Sequence, residues 1–316
     1  MPLLIACLSL VAAGFAYTHW RAARIAADFP PRGRFEASIG GRLHYVERPA
    51  VGTLRATVLL LHGASGNQAD VMGPLGDRLA ALGFRVIAID RPGHGWSERP
   101  GGRADASPAR QAALIRAALA RLGITQAIVV GHSWSGALAA NFALDHADFT
   151  QGLVLLAPVT HPWPGGVTWY YTPASTPGLD QLFTRLLTLP AGERSLDAGV
   201  RSVFAPHPPP PHYARATGLA LVLRPAEFMA NAQDVAGLKA FVTAQAPRLS
   251  GIRAPTVIVT GDKDGVVLTR IHSYGSARDI PGAVLVVLPG VGHSPHHSAP
   301  DAVADAIEGV AKRAGV

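Results

Sequence analysis

Ala127-Ile128-Val129-Val130-Gly131-His132-Ser133-Trp134-Ser135-Gly136 carries more structural information than any other stretch of this chain. The apolar run predicts a buried strand. The residues after it predict a tight turn that holds one hydroxyl, that of Ser133, at the edge of a sheet. The residues two before and two after such a serine must be small, because backbone and side chains crowd there. Gly131 and Ser135 satisfy this, with serine standing where glycine is usual. A helix is expected to start at Ser135 and run through Phe142. Alone, the pattern also describes an ordinary strand, a turn and a serine capping a helix, so the decision falls to other residues.

The chain has 316 residues, 48% of them hydrophobic and 16% charged. That suits one large domain, or one domain with an insertion. A single cysteine, Cys7, excludes an intrachain disulfide and a cysteine-rich metal site. The net charge of +7 comes from dispersed arginines with no Lys/Arg tract. No nucleic-acid motif is present and no nucleic-acid partner is expected. The charge reads as solvated surface plus a membrane-proximal cluster.

From Pro2 to Tyr17 no side chain is charged, and Arg21, Arg24, Arg32 and Arg34 follow. A membrane-spanning helix needs about 17–25 mostly apolar residues, so the run sits at the short end. Tyr17 and Trp20 suit an interfacial belt and the arginines suit phospholipid headgroups. A cleaved signal peptide is the rival reading. It expects a basic n-region, which is missing, and Gly14-Phe15-Ala16 is only a fair cleavage site. An uncleaved single-pass anchor is the expectation. The arginines lie on its C-terminal side, which puts the body on the cytoplasmic face, with a secreted or periplasmic body as the alternative.

Past Pro30-Pro31, strands and helices alternate. Leu43–Val46 reads as an early antiparallel strand. Thr57–Leu61 reads as a strand covered on both faces, and Arg85–Ile89, Ala127–Val130, Leu153–Leu156, Thr256–Thr260 and Val284–Leu288 read as further strands. Helices are expected over Val71–Leu82, over Pro108–Leu122 with Ser107 as N-cap, and over Pro300–Lys312. This alternation predicts an α/β fold with a mostly parallel central sheet and helices on both faces. Between Pro158 and Pro255 the rhythm breaks, with aromatic residues, helices near Asp180–Leu189 and Asp234–Ala246, and a stiff loop at His207–His212. The expected organisation is an anchor at 1–20, a juxtamembrane linker at 21–34, a core at 35–158 and 251–316, and a helical cap at 159–250.

Serine is a poor nucleophile until a base takes its proton, and a histidine base needs a carboxylate to fix its tautomer. Thr260 is followed by Gly261-Asp262-Lys263-Asp264, and Leu288 by Pro289-Gly290-Val291-Gly292-His293. Parallel strands bring these ends to the sheet edge that carries Ser133. Asp264 is preferred to Asp262, which immediately follows the glycine and is expected to brace the turn. His296 and His297 lack acidic or cysteine partners at a fixed spacing. They read as surface or cap-facing residues, and neither a metal nor a cofactor is expected. His62-Gly63-Ala64-Ser65-Gly66-Asn67 follows another strand. An acyl-transfer site needs two backbone N–H groups aimed at a developing oxyanion. Trp134 is expected to supply one and Ala64 the other, although the segment alone is also an ordinary glycine-rich loop.

Together, His62-Gly63, Asp90-Arg91-Pro92-Gly93-His94-Gly95-Trp96-Ser97, Gly131–Gly136, Gly261–Asp264 and Gly292-His293 resemble the landmarks of the α/β-hydrolase superfamily, in its order, over about residues 35–314. The resemblance implies a capped, cofactor-independent serine hydrolase with Ser133, Asp264 and His293 as catalytic residues. It gives the Asp90–Ser97 loop a structural role near the site. Epoxide hydrolases and haloalkane dehalogenases of this fold use an aspartate nucleophile, which the presence of Ser133 argues against. The expected substrate is a small apolar ester or related acyl compound. Carbon–carbon bond hydrolases and cofactor-free haloperoxidases are the alternatives within the fold, and a non-catalytic binding module is the alternative outside catalysis.

Overall fold

The computed structural model describes residues 1–316. Eight strands form one sheet: β1 (Arg34–Ser38), β2 (Gly41–Arg48), β3 (Ala56–Leu61), β4 (Phe84–Ile89), β5 (Ala127–His132), β6 (Thr150–Leu156), β7 (Thr256–Gly261) and β8 (Val284–Leu288). Their spatial order is β1-β2-β4-β3-β5-β6-β7-β8. From β4 to β8 the strands are parallel, and the β1–β2 hairpin is antiparallel at one edge. β1 lies outside the expected strands. Its sequence, Arg34-Phe35-Glu36-Ala37-Ser38, is largely polar, and it is held by register with β2 (Arg34 opposite Tyr45, Ser38 opposite Gly41) rather than by burial.

Twelve helices surround the sheet: α1 (Pro2–Asp28), α2 (Gln68–Ala81), α3 (Pro108–Arg121), α4 (Ser135–Asp145), α5 (Tyr171–Ser175), α6 (Leu179–Leu186), α7 (Thr188–Phe204), α8 (Tyr213–Ala216), α9 (Pro225–Gln245), α10 (Thr269–Asp279), α11 (Pro295–Ser298) and α12 (Pro300–Ala314). Local chemistry sets several boundaries. The Ser107 hydroxyl accepts from the Arg110 N–H and starts α3 where expected. The Asn67 side chain accepts from the Ala69 N–H, so α2 begins earlier than Val71. Side chains alternate across a strand, which divides each apolar run between two layers. Val58, Leu60, Val86, Ala88, Val130 and Val154 pack with α2 and α12. Leu59, Leu61, Ile87, Val129 and Leu155 pack with α3 and α4 on the other face.

Between β6 and β7 the chain forms α5 to α9 and no strand. The last of these helices does not merely lie over the sheet, because its Leu238 and Val242 join the core cluster beside Leu138 and Phe142. The N-terminal helix differs from expectation. Helical structure continues through residues 21–28, which were expected to be linker, and this part docks on the inserted helices. Ile25 is buried among Leu189, Leu221 and Leu223. The Arg21 guanidinium lies 2.7 Å from Glu193, and the Tyr17 hydroxyl donates to the same carboxylate at 2.9 Å. Residues 1–13 stand exposed. By length and composition α1 is long and apolar enough to cross a membrane. An Ile25→Asp substitution is expected to undock the C-terminal half of α1, read as faster amide hydrogen exchange over residues 18–28 with little change in β3 and β5. Unchanged exchange there would show that the docking does not depend on this side chain.

Candidate active site

The turn after β5 is built by crowding. Ser133 adopts φ +54°, a left-handed conformation that non-glycine residues seldom occupy. A Cβ on Gly131 would lie 2.2 Å from the Ser135 carbonyl oxygen, and one on Gly136 would lie 2.4 Å from Pro158 Cβ. Ser135 fits where glycine is usual because its hydroxyl donates to the His62 carbonyl on the neighbouring strand end. The turn thus leaves Ser133 facing the ends of the parallel strands.

His293 meets it there. Its Nε2 lies 2.9 Å from Ser133 Oγ, and its Nδ1 lies 2.8 Å from Asp264 Oδ2. Asp264 Oδ1 accepts from the N–H groups of Val266 and Val267 at 2.8 and 2.9 Å, so the carboxylate is oriented before it touches the imidazole. Asp262 instead accepts from the Gly290 N–H at 2.7 Å and ties the turn after β7 to the end of β8. The loop with Ala64 closes the other side. A Cβ on Gly63 would sit 3.1 Å from that of Ser133, a close approach that a larger residue would strain. Neither Ala64 nor Trp134 is a donor in the turn and loop hydrogen bonds of the backbone.

The landmark at Asp90–Ser97 is a brace. Asp90 accepts from the N–H groups of Gln68 and Trp96 and faces His44 Nδ1 at 2.8 Å. Its neighbour Arg91 is fully buried and does more than expected. It pairs with Asp234 at 2.7 Å, reaches the Gly63 carbonyl at 3.3 Å, and lies over the Trp134 ring at 4.0 Å. From the same helix, α9, Asn231 accepts from the Ser65 N–H at 2.8 Å, and the Asp234 carbonyl accepts from Trp134 Nε1 at 3.0 Å. Sequence reading missed Asn231 and Asp234 as supports of the site. Their only local signal is polarity on an otherwise buried helix face, which takes on meaning once Arg91 is placed opposite.

The surface reading of His296 is corrected. His296 is fully buried, with Nε2 3.3 Å from Asp70 Oδ2, and its ring lies 4.4 Å from that of His132. His297 faces the inserted helices, packing on Phe204 and Tyr213, with Nε2 3.0 Å from Asp70 Oδ1. Burial raises the Asp70 carboxyl, but the two imidazoles outweigh it and hold the group well below the usual carboxylate range.

Several histidines are buried as neutral rings. Burial, then the Arg91 charge, pushes His62 down to about 3, and burial beside His161 pushes His272 down to about 4. Burial also holds His94 and His132 well below the ordinary value. Glu227 is moved the other way: burial, opposed by Arg224, lifts it to about 7.

Fold and site together define a class: a parallel α/β sheet presenting a serine, a histidine and an aspartate in one hydrogen-bonded line. A sequence model of the α/β hydrolase fold matches residues 56–300, and the chain belongs to that family and is a hydrolase. Haloalkane dehalogenase 2 of Mycobacterium tuberculosis is 29% identical over 299 residues, spanning 88% of this chain and 94% of the relative. The 2-hydroxymuconate semialdehyde hydrolase of Pseudomonas putida is 31% identical over 252 residues, spanning 74% of this chain and 79% of the relative. The enol-lactonase of Burkholderia xenovorans shares the fold with a TM-score of 0.70 at 19% identity, covering 88% of this chain and 100% of that one.

The buried histidines make a pH prediction. An unfolded imidazole titrates near 6.5, so the unfolded chain takes up protons that the native rings refuse. The stability these rings supply is full above about pH 6.5 and is lost as pH falls below it, toward about 4 for His272 and about 3 for His62, at about 1.4 kcal/mol per pH unit for each ring. Glu227 opposes this, because the native state holds its proton between about 4.5 and 7, which offsets one ring. With four rings against one carboxyl, the urea midpoint is expected to fall from pH 7 to pH 5. A midpoint that stays level or rises over that interval contradicts the burial of neutral rings.

Proposed function

We propose that this hydrolase is a carboxylic ester hydrolase acting through an acyl-enzyme on Ser133. The observation that carries the reading is the unbroken line from Ser133 Oγ through His293 to Asp264, at 2.9 and 2.8 Å. His293 Nε2 takes the hydroxyl proton as Oγ attacks the substrate carbonyl. The N–H groups of Ala64 and Trp134 hold the oxyanion, and their freedom from other backbone partners supports that role. Asp264 keeps Nδ1 protonated and stabilises the imidazolium. His293 then protonates the departing alcohol, and water, activated by the same imidazole, releases the acid and restores Ser133. No metal or cofactor is required by these steps.

Serine chemistry argues against the dehalogenase activity named for the mycobacterial relative. Displacement of a halide by an aspartate gives an ester that water can open at its carbonyl. Displacement by Ser133 would give an ether with no carbonyl to attack, and turnover would stop. The Pseudomonas relative favours a second reading, hydrolysis of a carbon–carbon bond beside a ketone, in which the same serine attacks a carbonyl. The aromatic group of Tyr170, Tyr171 and Phe228 in the inserted helices favours an apolar substrate in either case.

The N-terminal helix is read as a membrane anchor with the body on the cytoplasmic face. Residues 1–13 span about 20 Å at 1.5 Å per residue, short of the roughly 30 Å hydrocarbon layer. A crossing therefore draws the surface of α6, with exposed Leu179 and Leu182, and Leu187 just after it, into the interfacial zone. Arg24 and Arg32 remain exposed for headgroups, whereas Arg21 is occupied by Glu193.

A fluorophosphonate probe is expected to label the wild-type protein and not Ser133→Ala, while far-UV circular dichroism of the variant stays native. Asp264→Asn is expected to lower kcat by about 10⁴. Ser133→Ala turning over p-nitrophenyl esters near the wild-type rate would end the proposal. Hydrolysis of a ring-fission dienol ketone faster than of any ester in a chain-length panel would transfer it to the second reading. In intact spheroplasts the body is expected to resist added protease, and digestion from outside would reverse the orientation.

A further inference from the structure

The group behind the Ser133–His293 pair has no part in the proposed reaction. Asp70 from the first turn of α2, His132 from the end of β5 and His296 from α11 meet there, all buried, with one ligand atom from each lying within 4.8 Å of the others. His132 Nε2 lies 3.0 Å from the His293 carbonyl oxygen, an acceptor only, so this nitrogen carries the proton. The other nitrogen, Nδ1, is then a bare lone pair. It is buried without a hydrogen-bond partner and lies 4.0 Å from Asp70 Oδ2. Leaving a buried acceptor unsatisfied costs about 1–3 kcal/mol.

The carboxylate is oriented in the complementary way. Its Oδ1 accepts from the Tyr213 hydroxyl at 2.7 Å and from His297 Nε2 at 3.0 Å. Its Oδ2 accepts from His296 Nε2 at 3.3 Å and faces His132 Nδ1 at 4.0 Å. Asp70 and His132 are thus each fixed by an outer hydrogen bond with an atom turned inward, the arrangement metal sites use, whereas His296 would have to move its proton from Nε2 to the unpartnered Nδ1 to ligate.

We propose that Asp70, His132 and His296 form a binding site for a divalent transition-metal ion of the zinc type, fastening the segment that carries His293 to the strand end that carries Ser133. Two imidazoles and a carboxylate suit Zn²⁺, whereas Ca²⁺ and Mg²⁺ prefer all-oxygen sets. Tetrahedral bonds of about 2.0–2.1 Å put ligand atoms roughly 3.3 Å apart. The His296–Asp70 separation is already 3.3 Å, and the His132–Asp70 separation of 4.0 Å needs only a small closure. Tyr213 and His297, the outer contacts of Asp70, also line a cavity of about 430 Å³. The role is structural and independent of which substrate Ser133 attacks. His296 sits three residues past His293, so fixing one limits the travel of the other.

The full-length protein, stripped by chelator and dialysed, would be titrated with Zn²⁺ and with Co²⁺. One ion per chain is expected, with the visible absorption of tetrahedral Co²⁺ and a higher Tm in the loaded form. Asp70→Asn and His296→Gln preserve size and are each expected to weaken binding by about 100-fold or more. His297→Gln, which removes an outer contact, is expected to weaken it about tenfold. If a variant does not fold, zinc-edge X-ray absorption of the wild-type protein decides, with two imidazoles and oxygen ligands expected. Failure to retain an ion, retention unchanged in the folded ligand variants, or a different ligand set would overturn the proposal. None of these readouts involves ester turnover, so the site and the reaction can fail separately.

Discussion

The left-handed turn at Ser133 is the constraint around which the rest is arranged. A β-carbon-bearing residue held at φ +54° persists only where its surroundings permit no other path. Here the surroundings are absences: no side chain at Gly63, Gly131 or Gly136, each within 3.1 Å of something a Cβ would strike. One presence completes them, the Ser135 hydroxyl bonded to the His62 carbonyl. The turn is therefore defined jointly by the ends of β5 and β3 and by Pro158 after β6. It exists only when three adjacent parallel strands are in register.

The second level of support comes from α9. This helix sits late in the insertion, yet its Asp234 lies opposite Arg91, and its Asn231 holds the loop with Ala64. A buried Arg–Asp pair gives little net stability, because desolvating both charges cancels most of their attraction. Its value here is geometric. Arg91 presses on the Trp134 ring and reaches the Gly63 carbonyl, so one guanidinium fixes both candidate oxyanion donors. Arg99 shares Asp234 at 2.8 Å, which leaves the carboxylate doubly held.

Much of this was legible in advance. The continuous apolar strands, the Ser107 cap, Ser133, Asp264 and His293 each carry a local signature: a period, a capping geometry, a loop directly after a strand. What escaped reading has no local signature. β1 is polar, and it is held by pairing with β2 and by the Ser38 hydroxyl, which donates to the Leu114 carbonyl of α3. Residues 21–28 look like a charged linker until Glu193 and the Leu189–Leu223 group receive them. His296 sits in a short polar run that suggests exposure, and it is buried because Asp70 and His132 arrive from other elements.

Sequence alone determined the alternation of strands and helices and singled out Ser133, His293 and Asp264 as the candidate site, because each is written within a few residues of a strand end and parallel strands bring their ends to one edge. Tertiary structure decided which polar groups inside the protein are paired and which are left with a bare lone pair. That depends on separations of a few ångströms between residues more than sixty positions apart, such as Asp70 and His132. Hydrogen bonding and metal ligation act at contact distance in space, and spacing along the chain does not report it.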